Sequence, residues 1–324
     1  MPTLRPEIDP DLLPALTAIP LTTDLDPELL AQVRPYAATS PAALDALLTQ
    51  GRAVDRRDVT VPAPDGTRVP LTVLSPATPD RSTLAPCIYW VHGGGMVMGD
   101  RFSNLGLPLD WQDRFGAVIV TVDYRLAPEA TGTAAVEDCY AGLSLTAEHA
   151  AELGIDPAKI VVAGTSAGGG LAAGAVLLSR DRGTPSVAAQ LLVYPMLDHR
   201  NETVSSHQYG GEPGVWTREK NVFGWSSVLG DIPDDGVPDA ISPARAADLS
   251  GLPTTYVDAG SAEVFRDEDV TYASRIWAAG GQAELHVWAG GFHGFDELVP
   301  DAPVSVAARQ ARADWLGRVL ASLS

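Results

Sequence analysis

The stretch Ile160-Val-Val-Ala-Gly164-Thr-Ser166-Ala-Gly168 sets a serine between two glycines at the end of an apolar, β-branched run. Leu171-Ala-Ala-Gly-Ala-Val-Leu-Leu178 follows with helical composition, so the pattern predicts a strand, a tight turn and a helix, with Ser166 thrust outward at the turn. Glycine is needed on both sides because a Cβ there would meet the neighbouring strand and helix. Such a serine is a candidate nucleophile for acyl transfer. Its hydroxyl attacks nothing until an imidazole takes its proton and a carboxylate orients that imidazole. A glycine-rich bend with an incidental serine would fit the same five residues, so the partners decide the matter.

Of six histidines, His293 is the expected base: it lies in Gly290-Gly-Phe-His-Gly-Phe295, a loop just after a strand predicted to end at Trp288. His286 falls inside that strand, His149 on a helix, and His199 and His207 in a segment without strands. The orienting acid should follow the preceding strand, Thr254-Thr-Tyr-Val257, where Asp258, Glu263, Asp267 and Glu268 are available. Asp258 is close enough to the strand end to face inward. Asp267 and Glu268 read as first-turn acids of the next helix, where the dipole favours them. Glu263 sits between these positions in a loop free to reach an imidazole and is preferred, with Asp267 next. Charge developing on a substrate carbonyl needs fixed donors, and His92-Gly93-Gly94-Gly95 offers a side-chain-free backbone after the strand ending at Val91. The amides of Gly93, Gly94 and Ala167 are the expected oxyanion hole, with His92 structural.

Elements must bring these loops together. From Cys87 onward strands and helices alternate, which implies parallel strands with right-handed crossovers and helices on both faces; sites on such sheets lie at the C-terminal strand ends. Arg57 to Val61 and Arg68 to Leu74, joined through Pro64-Asp65-Gly66, read as a hairpin at an antiparallel edge. The α/β architecture is flanked by two departures from the rhythm. Residues 1–52 hold short, proline-punctuated helices, capped at Asp26-Pro27 and Ser40-Pro41, and 198–250 hold aromatics but no convincing strand. Both are expected to form a helical cap over a core made of 53–197 and 251–324.

The net charge of −19 opposes binding to nucleic acid or an anionic membrane. No apolar run is long enough for a membrane span, and prolines and acids in Met1 to Pro10 stand where a signal peptide needs basic and apolar residues, so a cytoplasmic location is expected. Cys87 and Cys139 make neither a disulfide framework nor a metal site and read as buried thiols. The chemistry calls for no metal and no cofactor.

Four ordered motifs, His92-Gly-Gly-Gly95, Asp123-Tyr-Arg-Leu-Ala-Pro-Glu129, Gly164-Thr-Ser-Ala-Gly168 and His293-Gly-Phe295, resemble the hormone-sensitive-lipase-like, mainly bacterial esterases of the α/β-hydrolase fold, over about Ala85 to the C-terminus. The resemblance implies hydrolysis of short to medium acyl esters, a small-molecule substrate, a bracing role for Asp123 to Glu129, and a homodimer through the last strand. Two departures stand out. Glu263-Val-Phe-Arg-Asp-Glu268 has glutamate where the family commonly has aspartate, and Met96 follows the glycines where an aromatic is usual. Met96 and Met98 are expected in the acyl pocket or in core gaps, with Val215 and Trp216 lining the pocket from the cap. Amide or lactone cleavage, acyl transfer to an alcohol, and binding without catalysis are the alternatives.

Overall fold

The computed structural model describes residues 4–49, 51–78 and 83–323. The first three residues of the expected N-terminal segment, with Gln50 and Ser324, lie outside the described residues. Eight strands among those described form one sheet: β1 (Val54–Pro62), β2 (Arg68–Pro76), β3 (Ala85–Val91), β4 (Val118–Val122), β5 (Ile155–Thr165), β6 (Ala189–Val193), β7 (Thr254–Gly260) and β8 (Ala283–Trp288). Their order is β1-β2-β4-β3-β5-β6-β7-β8. β1 and β2 form the antiparallel hairpin, β2 runs antiparallel to β4, and every pairing from β4 through β8 is parallel. This is the mostly parallel α/β sheet that the alternation of elements implies, in the α/β-hydrolase arrangement that the resemblance implies.

The period-two alternation of the strands sorts the core into two layers. Cys87, Tyr89 and Val91 of β3, with Ile160 and Val162 of β5, pack on the side of helices Ala134–Glu148, Ala167–Arg182 and Arg266–Ala278. Ile88, Trp90, Val161 and Ala163 face the other side, with Trp111 and Trp315 from helices Gly106–Phe115 and Pro303–Ser322. Cys87 and Cys139 are both buried free thiols.

Helix Ala134–Glu148 is followed by β5, which begins at Ile155, ahead of the apolar run at Ile160, because Ile155 pairs with Ala85 across an irregularity in the register. At the N-terminus, Asp26 accepts the Leu29 amide at 2.7 Å and Ser40 Oγ the Ala43 amide at 3.2 Å, as capping residues do. The 198–250 stretch contains helices Val204–Gln208 and Arg218–Leu229. It meets the N-terminal helices through a bridge between Thr22 and Gly214 and a hydrogen bond from Thr217 Oγ1 to the Thr23 carbonyl at 2.5 Å. No helix among the described residues is long and apolar enough to cross a membrane.

Candidate active site

Ser166 sits at the junction of β5 and helix Ala167–Arg182 with φ 56° and ψ −126°, a backbone region that side chains other than hydrogen resist. The two flanking glycines make that turn possible through close approach. A Cβ at Gly164 would lie 2.3 Å from the Gly168 carbonyl oxygen, and one at Gly168 would lie 2.2 Å from that of Val91. The Ser166 amide donates to the Val193 carbonyl at 2.9 Å and the Met196 amide to the Ser166 carbonyl at 3.0 Å, so β6 holds the turn from one side.

His293 comes from the loop after β8. Its Nε2 stands 2.8 Å from Ser166 Oγ, and its Nδ1 stands 2.6 Å from Glu263 Oε2. With the proton on Nδ1 donated to the carboxylate, Nε2 is the free acceptor facing the serine. Glu263 is buried, and its other oxygen accepts the Gly260 amide at 2.5 Å. Burial holds the Glu263 carboxyl above its usual range, and the hydrogen bond and charge of His293 offset only part of that rise. Phe265 and Tyr194 meet the imidazole edge-on at 5.1 and 5.0 Å between centroids, which fixes the ring plane.

The other acids are engaged elsewhere. Asp267 accepts the Ser205 amide at 2.7 Å and pairs with Arg266. Asp258 faces inward, where Arg312 Nε donates to it at 2.7 Å and Trp288 Nε1 at 3.0 Å. Glu268 accepts the amides of Leu197 and Asp198 at 2.7 and 3.1 Å.

At the glycine loop the structure corrects one expected donor. The Gly93 amide already donates to Asn104 Oδ1 at 3.0 Å, so it is not free for a substrate oxygen. Gly94 and Gly95 both line the cleft with Ser166, and Ala167, as the first helical residue, has an amide with no intrahelical acceptor. The Asp123–Glu129 segment braces this loop as expected: Tyr124 Oη donates to the His92 carbonyl at 2.8 Å and the Ala127 amide to the Met96 carbonyl at 2.9 Å. His92 is buried and stacks on Tyr124, which makes it structural.

A cleft of about 640 Å³ opens above Ser166. Leu25, Leu29 and Val33 wall it from the N-terminal helices, Val215 and Trp216 from the 198–250 stretch. Met98 lines it, whereas Met96 takes the other of its two expected places, in the core. The Val97 and Met98 amides both donate to the Gly94 carbonyl, and the tight turn carries Met96, at φ 61°, into the core. Lys220 donates to the carbonyls of Gly214 and Val215 at 2.7 and 3.3 Å, pinning the backbone that carries Trp216; burial lowers its pKa. Sequence reasoning missed Asn104, Tyr194 and Glu297, which also line the cleft.

Comparison with known proteins bears on the fold and the class of activity. The family model described as alpha/beta hydrolase fold matches residues 88–297. The chain is 33% identical to esterase LipI of Mycobacterium tuberculosis over 302 residues, 92% of either chain. It is likewise 33% identical to carboxylesterase NlhH of the same species over 325 residues, covering 98% of this chain and 96% of the relative. Among solved structures, a bacterial heroin esterase superposes with a TM-score of 0.88 at 37% identity, over 97% of this chain and 98% of its own.

Proposed function

The chain belongs to the hormone-sensitive-lipase-like esterase family of the α/β-hydrolase fold, and on that premise we propose that Ser166, His293 and Glu263 carry its carboxylesterase chemistry. It is a carboxylic ester hydrolase, similar over nearly its whole length to proteins named esterase and carboxylesterase. The observation that carries the assignment of residues is the unbroken hydrogen-bonded line from Ser166 Oγ through the imidazole to Glu263, 2.8 and 2.6 Å, at the base of an apolar cleft.

In this reading Ser166 Oγ attacks the ester carbonyl carbon while its proton passes to His293 Nε2. The resulting imidazolium is stabilised by Glu263, which stays ionised. The carbonyl oxygen becomes an oxyanion that accepts from the amides of Gly94, Gly95 and Ala167, donors fixed before the charge appears. Collapse of the tetrahedral species breaks the bond to the alkoxy oxygen, which takes the proton from His293 and leaves as the alcohol. A water then gives its proton to His293 and attacks the acyl-serine carbon. A second collapse returns the proton to Ser166 Oγ and releases the carboxylic acid.

The substrate class is short to medium acyl esters, supported by the cleft volume and by walls of Leu25, Leu29, Val33 and Trp216 with little charge. Residues 1–52 and 198–250 act as the cap that shapes this cleft. The test is hydrolysis of a short p-nitrophenyl ester by Ser166→Ala. Turnover is expected to fall about 10⁶-fold, toward the background left by binding and oxyanion donors, with an unchanged melting curve. Retained turnover would remove Ser166 from the mechanism.

A further inference from the structure

Asn104 lies between two catalytic loops and touches both. Its Oδ1 accepts the Gly93 amide at 3.0 Å, and its Nδ2 donates to Glu297 Oε2 at 2.5 Å. This orientation of the carboxamide satisfies both partners; the flipped one would set NH₂ against an amide N–H and oxygen against a carboxylate. Glu297 stands in the short helix Phe295–Leu298, four residues after His293, and its second oxygen accepts the Tyr194 hydroxyl at 3.2 Å. The Tyr194 ring in turn packs edge-on against His293 at 5.0 Å.

Asn104 and Tyr194 both hold positive-φ backbone, 60° and 35°, a region that asparagine adopts more readily than most residues and that a bulky aromatic resists. The hydrogen bond from the Tyr194 hydroxyl to Glu297 therefore helps hold a conformation that local preference does not supply. Glu297 forms no ion pair among the described residues, so its carboxylate is committed to these two neutral donors.

We propose that Asn104 and Glu297 are a positioning pair that orients the oxyanion loop and ties it to the histidine loop. By occupying the Gly93 amide, Asn104 turns the next two peptide planes so that Gly94 and Gly95 present their amides to the cleft. Glu297 fixes Asn104 against the segment that carries the base, so that oxyanion donors and imidazole keep one spacing. Neither residue touches the reacting atoms. The inference rests on the Ser166–His293 mechanism above.

The experiment compares the wild type with Asn104→Ala, Asn104→Asp, Glu297→Ala, Glu297→Gln and the double alanine variant, with Ser166→Ala as the blank. For each, kcat and KM on a short p-nitrophenyl ester are separated. Thermal melts are recorded, and the affinity of a trifluoromethyl ketone, which forms a tetrahedral oxyanion adduct on a nucleophilic serine, is measured. Asn104→Ala is expected to lower kcat by about tenfold to a hundredfold with KM within about threefold, and to weaken the ketone by a similar factor. Glu297→Gln, which keeps an oxygen for Asn104, should recover most of the turnover lost in Glu297→Ala. The double variant should be little worse than Asn104→Ala, because both residues act through one contact.

A kcat for Asn104→Ala within about twofold of the wild type, an unaltered ketone affinity, or fully additive losses would each overturn the proposal. Should the alanine variant not fold, the isosteric Asn104→Asp decides: like charge against Glu297 should lower kcat and ketone affinity together, and unchanged values for both would overturn the pair. A wild type without turnover, or an active Ser166→Ala, would instead overturn the underlying mechanism.

Discussion

The floor and the outer wall of the cleft are built in different ways. On the floor, Ser166, Glu263 and His293 follow the ends of the parallel strands β5, β7 and β8, and all three are buried with their polar atoms paired. The outer wall comes from short helices with almost no core of their own: helix Leu13–Ala18 has no buried residue and helix Pro27–Ala37 only Leu30. What secures that wall is a set of side-chain staples. Arg34 donates to the Val97 and Ala127 carbonyls at 2.7 and 2.6 Å and pairs with Glu129, while Lys220 holds the Trp216 segment. Floor geometry therefore inherits the order of the sheet, whereas the wall rests on contacts of which two, Arg34 on Val97 and Trp216 against Gly95, reach the glycine loop. The contrast predicts that substitutions in the floor lower turnover and substitutions in the wall shift selectivity.

The largest way to break this contrast lies in the floor. Glu263→Gln keeps the shape but allows the wrong imidazole tautomer, and kcat should drop about 10³- to 10⁴-fold. Asp267→Asn, changing the acid that instead holds Ser205, should leave kcat within about threefold. Equal losses in the two variants, read by steady-state kinetics, would refute the assignment of Glu263.

A smaller effect belongs to the wall. Trp216 lies against Gly95, where a Cβ would come within 2.2 Å of its ring. Trp216→Ala should enlarge the cleft and move the acyl optimum to longer chains, each added buried methylene changing kcat/KM by about fourfold. The kcat for the shortest ester should change little. A uniform loss across p-nitrophenyl esters of increasing length would show that the wall also sets the chemistry.

The smallest effect on activity is expected at Asp269, one helix turn behind the triad acid's loop. It is fully buried, with no hydrogen-bond partner for either oxygen among the described residues. Burial holds its carboxyl well above the ordinary range, with the charges of Glu268 and Glu263 adding to the shift. Because the folded pKa exceeds the unfolded one, the protonated form is favoured in the native state. Its stability contribution is full below the unfolded value and is lost as pH rises through the folded one. Asp269→Asn should therefore gain stability relative to the wild type as pH rises from acid to neutral, with kcat unchanged. Denaturant melts at several pH values check this, and a pH-independent difference would refute it.

The sequence displayed what local chemistry dictates. Gly164 and Gly168 announced the elbow because only glycine fits those approaches, and the order of strands and helices announced the parallel sheet. Glu263 was preferred because its loop position left it free while Asp267 began a helix, and the structure gives Asp267 its partners there. Residues that meet only through the fold leave no local pattern: Asn104 and Glu297 are 193 positions apart and are joined by a hydrogen bond beside the cleft.

From the chain alone came the candidate reactive groups and the elements that carry them, since residue type, spacing and periodicity are local properties. The folded sheet decided which amide is spent and which methionine reaches the cleft. Gly93 is occupied by Asn104 and Met96 is turned inward by a tight loop, outcomes set by hydrogen-bond competition and backbone rotation in three dimensions. Composition carries no trace of either, because an amide's partner and a side chain's direction depend on what the rest of the fold places beside them.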